Sequence, residues 1–152
     1  MNLGILGFGE ASGTIAGGLL GRGPVEIRVW KRRPWTDDVQ WRTDDLGLVL
    51  CAEPREAIEP SDIILSLVPP SAALHVAERA APWCAGKLYV DLNATAPGAM
   101  EDACKVIEGA AGRFVDGAIM GPLGKQKHRV STVVSGEEAE ELERFVELVE
   151  RG

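Results

Sequence analysis

Paired cysteines, long apolar runs and an excess of basic residues are all missing from this chain of 152 residues. Cys51, Cys84 and Cys104 are widely spaced and form no C-x-x-C pair, so neither a disulfide framework nor a zinc site is expected. We expect each of them to be a small apolar group in the core. No uncharged apolar run approaches the ~18 residues of a membrane span.

Charge and motif content exclude several classes of function. The net charge of −7 argues against general nucleic-acid binding, which needs a basic surface. No H-E-x-x-H, G-K-[ST] or G-x-S-x-G motif is present, so metalloprotease, P-loop and hydrolase chemistry have no support. The start, Met1-Asn2-Leu3-Gly4, lacks the features of a signal peptide, which predicts a cytoplasmic protein. The expected partner is a small molecule, with neither nucleic acid nor membrane.

The beginning of the chain has the pattern of a βαβ unit. Asn2 to Gly7 is a short apolar run, typical of a strand buried on both faces. Ala11, Ile15 and Leu19 then recur at helical spacing. Val25 to Trp30 alternates as a second strand should. A strand, a glycine turn, a helix and a strand within about thirty residues predict a parallel, right-handed unit.

The same alternation continues and predicts an α/β fold: a Rossmann-type, doubly wound, mostly parallel sheet in three layers (αβα), as one domain over residues 1–152. Further strands are predicted at Leu48 to Cys51, Ile63 to Val68, Leu88 to Val90, Arg113 to Ala118 and Val130 to Ser135. Further helices are predicted from Pro54 to Glu59, after a cap at Ser71, along Met100, Cys104, Ile107 and Ala111, and from Ser135 onwards. The polar stretch from Arg32 to Gly47 is predicted to be a loop with at most a short helix.

The glycine turn predicts dinucleotide binding. In Gly7-Phe8-Gly9-Glu10-Ala11 the first glycine permits a tight turn, and the second lets a pyrophosphate approach the backbone. The helix that begins near Glu10 offers free N–H groups and a positive dipole end. Ser12 stands where G-x-G-x-x-G has its third glycine, and it is small enough for close packing. The alternative is a purely structural turn.

The end of the second strand indicates which dinucleotide is preferred. NAD-binding proteins usually have a carboxylate there that accepts hydrogen bonds from the ribose 2′-hydroxyl. This chain has Trp30-Lys31-Arg32-Arg33 instead, and guanidinium groups bind a 2′-phosphate bidentately. We therefore predict NADP(H) in preference to NAD(H), with Arg32 and Arg33 as the main ligands and either able to stack on the adenine. The alternative is a solvated charged loop.

Several motifs occur together in the order and spacing of a known family. They are Gly7-Phe8-Gly9-Glu10-Ala11, Val29-Trp30-Lys31-Arg32-Arg33-Pro34, Ser61-Asp62-Ile63-Ile64, Asp91-Leu92-Asn93-Ala94-Thr95-Ala96-Pro97 and Phe114-Val115-Asp116-Gly117-Ala118-Ile119-Met120-Gly121-Pro122. With them the chain resembles the N-terminal NAD(P)-binding domain of the β-hydroxyacid dehydrogenase and 6-phosphogluconate dehydrogenase superfamily. Its Gly-Phe-Gly-Glu-Ala variant is similar to the branch called 6-phosphogluconate dehydrogenase-like.

The resemblance implies roles for residues that follow the later strands. Leu67-Val68-Pro69 would pass along the cofactor ribose, although a plain core and turn is the alternative. The family's Ser-Thr pair beside the nicotinamide and substrate corresponds to Asn93 and Ala94, of which only Asn93 can still donate a hydrogen bond. The family's serine and two glycines for the substrate carboxylate correspond to Met120-Gly121-Pro122. A methionine cannot bind an anion usefully, which argues against a typical 3-hydroxyacid substrate.

The family also places its catalytic lysine on a helix after the last strand, in an all-helical domain that completes the active site and the dimer. No residue here matches that lysine, so the catalytic residues stay unassigned, and the chain is either truncated or a stand-alone cofactor domain. We expect an NADP-dependent oxidoreductase that transfers hydride to or from a small hydroxy-acid-like alcohol or carbonyl, or an imine, with homo-oligomers formed through the helical domain. The alternative is a non-catalytic NADP(H)-binding sensor or assembly module.

Overall fold

Strands and helices alternate along the chain in the computed structural model, which describes residues 2–19, 26–120 and 131–135, together with Glu140, Glu141, Glu143 and Arg144. The strands are β1 (Asn2–Leu6), β2 (Glu26–Trp30), β3 (Val49–Cys51), β4 (Ile63–Ser66), β5 (Leu88–Asp91), β6 (Arg113–Met120) and β7 (Ser131–Ser135). The α-helices are α1 (Glu10–Leu19), α2 (Asp37–Leu46), α3 (Pro54–Ile58), α4 (Ala73–Ala80) and α5 (Pro97–Gly109). None of the described helices is long and apolar enough to cross a membrane.

The strands form one sheet in the order β3-β2-β1-β4-β5-β6-β7. The first six run parallel, and β7 pairs with β6 antiparallel. The order reverses at β1, which lies between β2 and β4, and such a switch point is where doubly wound sheets bind ligands. This topology confirms the predicted Rossmann-type fold with a mostly parallel sheet.

Helices cover both faces of the sheet and produce two hydrophobic clusters. Because successive strand residues point to opposite faces, Ile5 packs against α1 and α2, whereas Leu6 packs against α3, α4 and α5. The central strands are apolar throughout since both of their faces are buried, as the four buried residues of β4 show. The three-layer αβα arrangement is therefore confirmed.

The prediction of a loop from Arg32 to Gly47 is wrong, because α2 occupies ten of these residues. The helix has a defined start, since the Thr36 hydroxyl accepts a hydrogen bond from the backbone N–H of Val39. It also has a defined end at Gly47, whose φ of 68° lies in the left-handed region. The segment therefore has a normal N-cap at Thr36 and a normal C-cap at Gly47, although its many charged residues resemble a loop in the sequence.

One narrow face attaches α2 to the rest of the molecule. Val39 and Thr43 are buried four residues apart, and Leu46 packs beside them. The Thr43 hydroxyl donates to the backbone oxygen of Val39 at 3.0 Å, so a polar side chain is buried at little cost. Apart from the exposed Trp41, the remaining surface of the helix is polar, which is why its apolar periodicity is weak in the sequence.

Two helix details also differ from the prediction. Ser71 does not cap α4, because a 3-10 turn over Pro70–Ala72 precedes the helix and no side chain caps it. In α5 the buried residues include Ala103 rather than Cys104, which is only half-buried, and Ala111 lies exposed beyond the helix. The other two cysteines are buried, as predicted. The helix predicted after Ser135 lies largely outside the described residues.

A pair of substitutions on α2 tests its presence and orientation. Val39→Ala should lower the free energy of unfolding by about 1–3 kcal/mol, because it removes buried methyl groups. Trp41→Ala, two residues away at a side chain that is 73% exposed, should change it by less than ~0.5 kcal/mol. Urea denaturation of both variants provides the measurement, and equal effects would contradict the helix as described.

Candidate cofactor site

The turn between β1 and α1 is fixed at the switch point of the sheet. Gly7 has a φ of 95°, a conformation that strains other residues, and a Cβ at this position would clash with the carbonyl oxygen of Leu67. The N–H of Gly7 donates to the backbone oxygen of Trp30 at 2.7 Å. The turn therefore lies against the ends of β2 and β4, where the sequence predicted a tight glycine turn.

Gly9, two residues later, faces open space. A Cβ built on Gly9 would meet no atom within 4 Å, so no described part of the protein requires glycine here. The absence of a side chain leaves room for a ligand to approach the backbone, and the turn therefore fits a pyrophosphate. Ser12 holds the turn from inside α1, because its Oγ accepts from the N–H of Gly9 at 2.8 Å. Ser12 thus adds a hydrogen bond that a third glycine would lack.

Two cationic side chains hold the carbonyl groups of this turn. Lys31 Nζ donates to the backbone oxygen of Phe8 at 3.1 Å, and Arg42 Nη2 donates to that of Gly9 at 3.1 Å. The Arg42 guanidinium also lies 5.0 Å from the centre of the Phe8 ring. Gly13 lets Arg42 reach the turn, since a Cβ there would press against Nη2. Nothing in the sequence pattern singles out Arg42, which lies in the segment predicted to be a loop.

The four residues predicted at the end of β2 separate in the structure. Trp30 is buried in the core on the side of α3, α4 and α5, so its side chain is directed away from the glycine turn. Lys31 reaches the turn, whereas Arg32 and Arg33 are exposed in the loop that follows. The Arg33 guanidinium stacks 4.5 Å from the ring centre of Trp35, whose indole N–H donates to the Lys31 oxygen at 2.9 Å.

Asn93 joins the ends of β4 and β5. Its Oδ1 accepts from the N–H of Val68 at 2.8 Å, and its Nδ2 donates to Ser66 Oγ at 3.1 Å. The residue is buried, and one Nδ2 hydrogen is left for another acceptor. Asn93 therefore orders the segment Leu67-Val68-Pro69 beside it, in addition to any contact it makes with a ligand. Its neighbour Ala94 is exposed.

Most of the predicted site residues share one edge of the sheet. The glycine turn, the loop after β2, Leu67-Val68-Pro69 and Asn93 all follow the carboxyl ends of parallel strands, which lie side by side. β6 continues beyond the end of β5, because Asp116 already pairs with Asp91, the last residue of β5. Met120 is the last residue of this extension. Gly121 lies outside the described residues.

Two aspartates that were not anticipated from the sequence are neighbours on adjacent strands, Asp91 fully buried and Asp116 half-buried. Asp91 on β5 is fully buried and pairs in register with Asp116 on β6. Burial raises the pKa of Asp91 to about 6, the N–H of Asn93 bonded to its Oδ1 lowers it, and the charge of Asp116 raises it further. Burial also raises the pKa of Asp116. Each aspartate ends or follows an apolar strand segment, but only the strand register makes them neighbours.

Comparison with known proteins identifies the family. Residues 2–95 match the profile of the family described as NADP oxidoreductase, coenzyme F420-dependent. The chain belongs to this family. The matched range runs from β1 to the loop after β5, so it contains the glycine turn, Lys31, Arg42 and Asn93.

Individual relatives extend the likeness over nearly the whole chain. An uncharacterized 28.5 kDa protein of Methanothermus fervidus is 30% identical over 142 residues, which are 93% of this chain and 53% of that protein. A conserved hypothetical protein from Sinorhizobium meliloti 1021 superposes with a TM-score of 0.90 at 29% identity, over 98% of this chain and 51% of that one. The chain spans about half the length of these relatives.

A second solved structure confirms the resemblance to hydroxyacid dehydrogenases. It is a conserved protein of unknown function with structural similarity to 3-hydroxyacid dehydrogenases, at 32% identity and a TM-score of 0.82, over 96% of this chain and 54% of that one. The fold is shared at 23% identity and a TM-score of 0.77 by an imine reductase from Myxococcus stipitatus in complex with NADP⁺, over 98% of this chain and 52% of that one. The family match, together with this shared fold, identifies the chain as an NAD(P)-binding domain of the oxidoreductase type.

The carboxylate pair predicts a pH-dependent stability. The pKa of Asp91, about 6 in the folded protein, exceeds the ~3.9 of an unfolded aspartate, so the folded state holds the extra proton between these values. The resulting stabilisation is complete below pH ~4 and is lost as the pH rises through about 6. The free energy of unfolding should fall across this window by an amount on the order of 3 kcal/mol.

Asp91→Asn should remove this fall, because the amide keeps an oxygen for the N–H of Asn93 but does not titrate. The matched control is Asp45→Asn, at an exposed aspartate on α2, which should leave the pH dependence unchanged. Urea denaturation between pH 4 and pH 7 gives the comparison, with the window set by the pKa shift. A slope that survives in Asp91→Asn would have to be assigned to Asp116 instead.

Proposed function

We propose that this chain is the NADP(H)-binding domain of an oxidoreductase that transfers hydride between NADP and a small hydroxy-acid-like alcohol or carbonyl, or an imine. The observation that carries the preference for NADP is the cationic loop after β2, which places Arg32 and Arg33 at the edge of the sheet where an NAD-binding protein has a carboxylate. The imine reductase of the same fold in complex with NADP⁺ supports this preference. Coenzyme F420, named in the family's description, is a further candidate hydride partner.

The two arginines suit a 2′-phosphate for different reasons. Arg32 is exposed, so its guanidinium is accessible to a phosphate that arrives from solvent. Arg33 rests on Trp35, which limits the conformations of its long side chain and lowers the entropy lost on binding. One face of the Arg33 guanidinium is thereby occupied, leaving Arg32 as the better candidate for stacking on the adenine.

The remaining contacts follow the cofactor along the sheet edge. The pyrophosphate would lie on the open backbone at Gly9 and the first N–H groups of α1, which a helix leaves without internal partners. Leu67-Val68-Pro69 would line the ribose, and the free Nδ2 hydrogen of Asn93 would be available to the carboxamide or the substrate. The cofactor supplies the hydride chemistry, and these residues bind and orient it.

The acid–base group of the reaction is part of the proposal as well. We place it in a helical domain of the full-length protein, which would also mediate homo-oligomers, and we place the protein in the cytoplasm. The chain's half-length match to its relatives is consistent with such a second domain. The competing function is a non-catalytic NADP(H) sensor or assembly module. Turnover of NADPH with a panel of carbonyl and imine substrates by the full-length protein would distinguish the two.

Cofactor preference can be tested on the arginines of the loop. Arg32→Ala and Arg33→Ala should each weaken NADPH binding by about 1.5–3 kcal/mol, because each removes a charge-assisted hydrogen bond to the 2′-phosphate. The affinity for NADH should stay within about twofold, a shift of under ~0.5 kcal/mol. Calorimetric titration gives both constants. Equal losses for the two cofactors would show that the arginines support the fold rather than the phosphate.

The pyrophosphate position can be tested at Gly9. Gly9→Val should abolish binding of both cofactors without loss of folding, because its side chain would enter the space assigned to the ligand and touch no protein atom at its Cβ. Gly98→Val is the matched control, since a Cβ there also meets nothing within 4 Å but lies at the start of α5. Circular dichroism checks folding. Undiminished cofactor binding by Gly9→Val would rule out this placement.

A further inference from the structure

The carbonyl groups of two consecutive residues in the glycine turn are both held by cations. Lys31 reaches Phe8 from the end of β2, and Arg42 reaches Gly9 from the middle of α2, 33 residues along the chain. The Gly9 oxygen already accepts from the N–H of Gly13 at 3.1 Å as part of α1, so Arg42 adds a charged donor to an acceptor that is otherwise satisfied. Charged side-chain donors on two successive carbonyls are an unusual arrangement. We propose that Lys31 and Arg42 are positioning residues that brace this turn for the pyrophosphate of either cofactor, a role that rests on the proposed function.

Arg42 acts through the peptide group between Gly9 and Glu10. In a trans peptide the C=O and N–H point in opposite directions, so a donor that fixes the carbonyl of Gly9 also fixes the N–H of Glu10. That N–H is the first of α1 and has no partner within the helix. Arg42 therefore reinforces the orientation that the N–H of Gly13 gives to this peptide, without touching the phosphate, and its charge polarises the same peptide group.

Lys31 acts on the neighbouring peptide in the same way. Its contact with the Phe8 oxygen fixes the N–H of Gly9, which donates to Ser12 Oγ. The peptide before Gly9 is thus held at both ends, and the open face of Gly9 is kept in one orientation. The ammonium group is engaged with the turn rather than with the arginine loop. Cofactor preference is consequently left to Arg32 and Arg33.

The charges near the turn supply a second reason for the brace. Glu10 is exposed in the first turn of α1, where its carboxylate favours the helix but repels an incoming phosphate. Lys31 and Arg42 bring two positive charges to the same turn and outweigh it. Asp38 offsets Arg42 only weakly, because their ion pair is 3.9 Å long and largely exposed.

The chain offers a closely matched control for Arg42. Arg55 on α3 also has an ion pair at i,i+4, with Glu59, and also lies over an aromatic ring, 4.6 Å from the centre of Trp83. Arg42 has the equivalent contacts with Asp38 and Phe8, but in addition it reaches the glycine turn. A loss seen at Arg42 and absent at Arg55 therefore reports on the turn.

The experiment compares Arg42→Met, Arg42→Lys, Lys31→Met and Arg55→Met in titrations with NADPH and with NADH. Methionine keeps an unbranched chain over the ring and removes the charged donor. Arg42→Met and Lys31→Met should each weaken both cofactors about tenfold and in equal ratio, with the melting temperature of the free protein unchanged. Arg42→Lys should recover most of the affinity, because it restores a charged donor for the Gly9 oxygen, and Arg55→Met should stay within about twofold of the parent.

Several other outcomes of these measurements would contradict the proposal or the function on which it rests. A loss confined to NADPH would make Lys31 or Arg42 a ligand of the 2′-phosphate and overturn the brace. Unchanged affinity in Arg42→Met and Lys31→Met would show that their contacts with the turn do not position the cofactor. A lowered melting temperature that Arg42→Lys does not restore would show that Arg42 only stabilises the fold. Failure of the parent protein to bind either cofactor would instead reject the proposed function, before any variant is compared.

Discussion

The close contact between Gly7 and the chain that leaves β4 determines how the cofactor edge is assembled. Gly7 bonds to the end of β2 through its N–H and leaves no room for a side chain against Leu67. These contacts set where α1 begins and which way its N-terminus points. The open surface at Gly9, the hydrogen bond from its N–H to Ser12 Oγ and the contact made by Lys31 all depend on that placement. A protein with this strand order and a wider turn would present the same helix in a different direction.

A hydrogen-bond network around Asn93 orders the sheet edge at the ends of β4 and β5. Asn93 ties Ser66 to Val68 through a single amide, and Asp91 holds the backbone of Asn93 from below. A buried network of this kind is most stable when every donor and acceptor has a hydrogen-bond partner. The exception here is Asp91 Oδ2, which is buried and has no partner among the described residues. The raised pKa of Asp91 is the electrostatic consequence of that arrangement. The stability of this half of the sheet edge therefore depends on the ionisation of Asp91 as well as on hydrogen bonds.

The fold was predictable because its signals are local. Apolar runs ending in glycine, proline or aspartate mark the parallel strands, and the glycine turn marks the first crossover. The α2 helix was missed because its packed face is formed only by Val39, Thr43 and the partly buried Leu46, and the charged residues between them resemble a loop. Arg42 and the pairing of Asp91 with Asp116 could not be predicted, since they depend on where α2 docks and on strand register. The positions on the sheet edge were readable from sequence, but the partners of each side chain were not.

The contact between Gly13 and Arg42 has a consequence for how this sequence can change. Because a Cβ at position 13 would collide with the guanidinium, the two positions are not independent. A lineage that acquired alanine at position 13 would keep an arginine at position 42 only with its guanidinium moved away from the glycine turn. Arg32 and Arg33 have no such constraint, since both are exposed. Under the proposed function, substitutions in the loop would alter which dinucleotide is favoured, whereas a side chain at position 13 would remove the contact between Arg42 and the turn.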